Sequence, residues 1–177
     1  MKKNQKGFSL IELLIVVAII LIIAAIAIPN LLRSKIAANE SSAVGSVRTI
    51  GTAEVTYSSS WGQGYAVGLN QLGGASPCIN ATAAAACLID PLLSVGPNTK
   101  SGYVFNAAGT KADPNGNFQG FEINATPTTY QTTGVRAFCD DQSGVVRFAD
   151  GAAAIGVGND TCAGIPTVKG VSGPVGN

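Results

Sequence analysis

The sequence has no histidine, only one tryptophan and one methionine, and only 12% charged residues over its 177 positions. Each shortage excludes something. Without histidine there is no imidazole to activate a serine, threonine or cysteine nucleophile. The usual nitrogen ligand of zinc is missing as well. The sparse charge argues against general nucleic-acid affinity. Lys100, Lys111, Arg136, Arg147 and Lys169 stand apart in sequence and form no basic run. Together with frequent glycine, it suits a packed, loop-rich domain better than a disordered one. Aromatic residues are also few, and the first sixty positions hold only Phe8 and Tyr57, too far apart to stack along one helix. The many serines and threonines form no catalytic constellation, so an enzyme is not expected and no cofactor is implied.

What the chain does have is one long apolar run. From Phe8 to Ile28 there are 21 residues with a single charge, Glu12. As a helix they span about 31 Å, the thickness of a bilayer core. The flank MKKNQK carries Lys2, Lys3 and Lys6 and no acid, which keeps the N-terminus cytoplasmic and sends the rest outward. A secretory signal peptide is the first alternative, with Ala25-Ile26-Ala27 as a small-residue cut site. The run is longer than such a signal needs, and it contains a carboxylate. A plain membrane anchor is the second alternative. An ionisable group inside a spanning segment usually has a partner.

The residues Lys6-Gly7-Phe8-Ser9-Leu10-Ile11-Glu12 closely resemble the prepilin processing site of the type IV pilin family, as does the proline, Pro29, at the end of the run. The resemblance is closest over residues 1–57. It implies cleavage by a prepilin peptidase between Gly7 and Phe8, followed by N-methylation of Phe8. Phe8, Glu12 and Pro29 are then the assembly residues. Glu12 lies four positions after Phe8, on one helix face with it. It can favour its own helix N-terminus through the dipole. It can also pair with the Phe8 amine of a neighbouring subunit and so set axial register. The resemblance further implies an inner-membrane precursor that becomes a surface filament, a homo-oligomer built by an assembly ATPase and platform machinery. Removing residues 1–7 takes three lysines and moves the formal charge from +1 to −2. A type II secretion pseudopilin shares this N-terminus and is the related alternative. A membrane-tethered or secreted binding module that never polymerises is the alternative from another class.

Pro29 cannot donate to the Ala25 carbonyl and its ring crowds it. A kink or local unwinding is therefore expected over Ala24–Pro29. The helix resumes to Ser58, with Leu32, Ile36, Ala43, Val47, Ile50 and Tyr57 on an apolar face and Arg33, Lys35, Glu40, Arg48 and Glu54 opposite. Gly45 and Gly51 weaken that helix and permit close packing. Residues 59–100 read as mostly loop, with Ser76-Pro77 and Asp90-Pro91 as turn signals. Four strands follow: Gly102–Ala108, Asn117–Ala125, Val135–Cys139 and Val145–Ala149. The fold class is α+β, a long N-terminal helix packed on a four-stranded antiparallel sheet, which is the pilin fold. The divisions are a leader over 1–7, a membrane and filament-core segment over 8–29, an amphipathic segment over 30–58, a connecting loop over 59–100, and a sheet with a disulfide-closed C-terminal region over 101–177.

Four cysteines in a translocated domain suggest two disulfides, Cys139 with Cys162 and Cys78 with Cys87. Three pairings are possible and the sequence does not choose among them. A zinc site lacks both a close cysteine pair and histidine. The Asp113-Pro-Asn115-Gly-Asn117 stretch has the spacing of a calcium loop but lacks its glycine and terminal glutamate, so it reads as a β-turn. Asp140-Asp141 read as solvated acids of a hairpin turn.

Overall fold

The computed structural model describes residues 7–74, 77–151, 155–158, 160–168 and 171–176. Lys2, Lys3, Lys6, Ser76 and Lys169, each used in the sequence reading, lie outside these residues. The chain divides into two units, residues 1–35 and 36–177.

The first unit contributes the start of helix α1 (Leu10–Trp61), which carries Pro29 in its interior. The helix is assigned without a break through residues 24–29, so the expected unwinding is absent. Proline removes one donor, and the intact turns on either side carry the helix across that gap.

The second unit holds the end of α1, two short helices and a sheet. Helix α1 ends three residues beyond the expected Ser58. Gly62 follows in the left-handed region (φ +64°) and its N–H returns to the Ser58 carbonyl at 3.0 Å, a turn only glycine adopts without strain. Two four-residue helices, α2 (Leu69–Leu72) and α3 (Pro91–Ser94), interrupt what the sequence suggested was loop. Helix α3 starts where Asp90 caps it, accepting from the Leu92 N–H at 2.9 Å, and Pro91 fills the first helical position.

The sheet has six strands, not four: β1 (Thr99–Lys100), β2 (Tyr103–Ala112), β3 (Phe118–Pro127), β4 (Arg136–Asp141), β5 (Arg147–Asp150) and β6 (Ser172–Pro174). They lie in chain order and every neighbour is antiparallel. The four expected strands correspond to β2–β5. The two added ones are two and three residues long, too short to show an alternating pattern. The β2–β3 turn is closed by Asp113, whose Oδ1 accepts from the backbone N–H groups of Asn115 and Asn117, both at 2.8 Å.

Alternation gives the sheet two covered faces. Phe105, Phe121, Ile123, Ala125, Phe138 and Phe148 point inward and pack with Ala43, Val47, Ile50, Ala53 and Tyr57 of α1. Ala137 and Cys139 point to the opposite face, where Ile155 and Cys162 cover them in a second small core.

Candidate assembly site

Residues 7–9 precede the helix, and Phe8 is 79% exposed. A peptide bond in an exposed, non-helical stretch is open to a peptidase. The Ser9 carbonyl accepts the first helical bond, from the Leu13 N–H at 3.2 Å. The Ser9 N–H in turn donates to Glu12 Oε2 at 3.0 Å. This is half of a capping box, with serine as the cap and glutamate at the third helical position. The sequence reading weighed Glu12 only as a charge and missed this role. The signal was present as Ser9-x-x-Glu12 ahead of an apolar run. The cap fixes the carboxylate beside the helix start, where the dipole favours negative charge. Among the described residues its second oxygen accepts no hydrogen bond, which leaves it able to take a further donor.

Beyond the cap, all fifteen large apolar side chains from Phe8 to Ile28 are exposed. Among the described residues, α1 is the one helix long and apolar enough to cross a membrane. Pro29 lies just past this stretch, inside the helix.

The disulfides are Cys78–Cys87 and Cys139–Cys162, each with Cα atoms 5.8 Å apart. The second ties β4 to the C-terminal segment. Glu122 on β3 holds the same segment by accepting from the Gly158 N–H (2.6 Å), the Thr161 hydroxyl (2.5 Å) and the Cys162 N–H (3.0 Å). The Asn124 side-chain amide donates to the Ile155 carbonyl. Glu122 and Asn124 alternate with Phe121 and Ile123, so their outward direction was legible. That a later segment would bury them was not.

Four further acids depart from the sequence reading. Glu40 and Glu54 were assigned to the polar face of α1, yet both are buried. Glu40 accepts from the Val135 and Arg136 N–H groups (2.9 and 3.1 Å) and pairs with the Arg136 guanidinium at 2.6 Å. That guanidinium lies over the Phe138 and Phe148 rings, an apolar and π-rich seat that suits arginine. Glu54 accepts from the Ala66 N–H at 2.8 Å through Oε2, while Oε1 has no partner. Burial pushes its carboxyl up to about 7, against the lowering effect of the Ala66 bond. Asp140 and Asp141 are not solvated turn acids. Both lie in β4 and are buried, and the turn begins after them. Burial raises Asp140 to about 6, opposed by the Asp141 N–H and the nearby Arg48 charge. Among the described residues no group of three or more acids or cysteines converges on a common point that could hold a metal.

Comparison with known proteins bears on the N-terminal part. Residues 2–28 match the prokaryotic N-terminal methylation motif. The chain is 63% identical over 38 residues to the type IV wide pilus major component PilA4 of Thermus thermophilus. That match covers 22% of this chain and 29% of the relative's length. No solved structure matches the chain at a significant level.

Proposed function

We propose, from the N-terminal signature it shares with type IV pilins, that this chain is a member of that family and a structural subunit of a type IV pilus-like filament. The observation that carries the reading is the pairing of fifteen exposed apolar side chains with one capped glutamate at their head. At roughly 1.5–3 kcal/mol per side chain, leaving them in water costs tens of kcal/mol. Such a helix needs lipid before assembly and other helices after it. Extraction from the bilayer must therefore be coupled to reburial, which is the task of an assembly ATPase and its platform.

In this reading the precursor sits in the inner membrane with its N-terminus cytoplasmic. Prepilin peptidase cuts between Gly7 and Phe8, and Phe8 is N-methylated. The new amine of one subunit then donates to the second oxygen of a neighbour's Glu12, satisfying a carboxylate that would otherwise cost about 2.5–3.5 kcal/mol at the centre of an apolar medium. The filament serves attachment, motility or uptake.

The test is mass spectrometry of the mature chain together with electron microscopy of sheared cell-surface material. A methylated Phe8 terminus and long filaments are expected. A mature chain starting near Ile28 overturns the reading in favour of a secreted module. Correct processing with no surface filament favours the pseudopilin.

A further inference from the structure

The triplet Asn-x-Ser/Thr, which accepts an N-linked saccharide, starts at four places in the sequence: Asn39, Asn80, Asn124 and Asn159. Transfer to such a triplet makes three demands. The asparagine must lie at the surface, its amide nitrogen must be uncommitted, and the hydroxyl two positions on must have its hydrogen to give. The fold separates the four triplets on these grounds.

Asn124 is only 4% exposed, and its amide donates to the Ile155 carbonyl. Asn39 lies within α1, where its amide donates to the Thr133 carbonyl at 2.8 Å and the middle residue of its triplet, Glu40, is buried. Asn159 lies outside the described residues, and the hydroxyl of its triplet, on Thr161, donates to Glu122 at 2.5 Å. Asn80-Ala81-Thr82 differs on each count. All three residues are exposed, and among the described residues the Asn80 amide makes no hydrogen bond. Thr82 Oγ1 accepts from the Ala85 N–H at 3.2 Å, which uses a lone pair and leaves its hydrogen to donate.

The surrounding loop presents this triplet. It is closed by the Cys78–Cys87 disulfide. Its returning arm is fastened, because the N–H groups of Ala86, Cys87 and Leu88 donate to the carbonyls of Gln71, Gly73 and Leu72, each at 2.8 Å. Its outgoing arm, residues 78–81, belongs to no helix or strand and makes no backbone hydrogen bond among the described residues. The backbone on either side of Asn80 is thus open to an enzyme's acceptor groove, with nothing in the core of the head to be broken first.

We propose that Asn80 is an N-glycosylation site whose donor is a lipid-linked saccharide diphosphate. Asn80 Nδ2 forms a bond to the anomeric carbon, the bond from that carbon to the diphosphate oxygen breaks, and the lipid diphosphate leaves. One amide proton is released to base. The product is a neutral, bulky and polar surface modification, carried beside Ile79, which is 81% exposed. The inference rests on the export of the head in the reading above, and not on filament formation.

The test is mass spectrometry of the reduced, trypsin-digested mature chain from the cells that naturally make it. Trypsin releases residues 49–100 as one peptide, which contains Asn80 and none of the other three triplets. That peptide is expected to be heavier than its bare sequence by the mass of a saccharide. Asn80→Gln and Thr82→Ala should each return it to the bare mass, while Thr82→Ser retains the addition. A peptide of bare mass from the unsubstituted chain, or a saccharide that survives Asn80→Gln, overturns the inference. The same digest reports the mature terminus, so the two readings fail separately. A chain starting at methylated Phe8 with a bare 49–100 peptide leaves the subunit reading intact. A chain starting near Ile28 with a saccharide on Asn80 sustains the inference and overturns the subunit reading.

Discussion

One helix serves two regions that use it in opposite ways. From Leu10 to Ile28 its large side chains are exposed all round and the segment makes no core of its own. From Glu40 to Tyr57 it buries one face against a sheet, together with two carboxylates that flank that face, Glu40 and Glu54. The first region depends on surroundings the chain does not supply. The second completes itself, with two cores, two disulfides and a carboxylate that holds the C-terminal segment. In the filament reading proposed above, folding and assembly fall to different stretches of one element, and each should be open to disturbance without the other.

The largest effect should come from breaking the first region. Replacing Ile15 and Ile19 with lysine adds about 2.5–3.5 kcal/mol per residue to membrane insertion. Surface filaments should vanish in immunoblots of sheared fractions, while both disulfides still form in any translocated chain. Loss of those disulfides along with the filaments would show that the regions are not separable. A smaller effect should follow in the second region from removing Cys139 and Cys162 together as serines. The crosslink contributes roughly 3 kcal/mol in the chain-entropy model. The purified subunit in detergent should unfold at a lower temperature with its α1 helicity otherwise unchanged, as followed by circular dichroism.

The smallest effect concerns Glu54. Its carboxyl is raised in the folded state, from about 4.5 to about 7. The folded chain thus holds a proton there that the unfolded chain gives up at lower pH. Stability contributed by this group is full below about pH 4.5 and declines as the pH rises to about 7. Glu54→Gln should flatten that decline, leaving the melting temperature near that of the parent at pH 5 and above it at pH 8. A parent protein whose melting temperature does not fall between those two values would refute the assignment.

What the sequence made legible follows the range over which each signal acts. The apolar run and the Gly7–Glu12 spacing are local, and they were enough to anticipate the long N-terminal helix and the match to the methylation motif. The central strands were likewise visible, because Phe121, Ile123 and Ala125 alternate with Glu122 and Asn124. Ser9 and Asp90 show local signals that were present and overlooked: each starts a helix, and each was weighed as something else. Strand β6 is different. Ser172, Gly173 and Pro174 resemble turn residues, and they form a strand only because β5 is already there to pair with. The burial of Glu40 was equally hidden, since its partner Arg136 lies almost a hundred positions away.

The two short outer strands also matter to how many copies can be crowded together. A sheet ended by β2 and β5 would expose long rows of unpaired amide and carbonyl groups, which template pairing with a neighbouring chain. Instead one border is two residues long and the other ends in a proline that has no N–H to offer. In the proposed filament, heads held side by side would thus have little backbone with which to zip into a continuous cross-chain sheet. Their contacts are left to side chains, whose chemistry can be selective where backbone pairing is not.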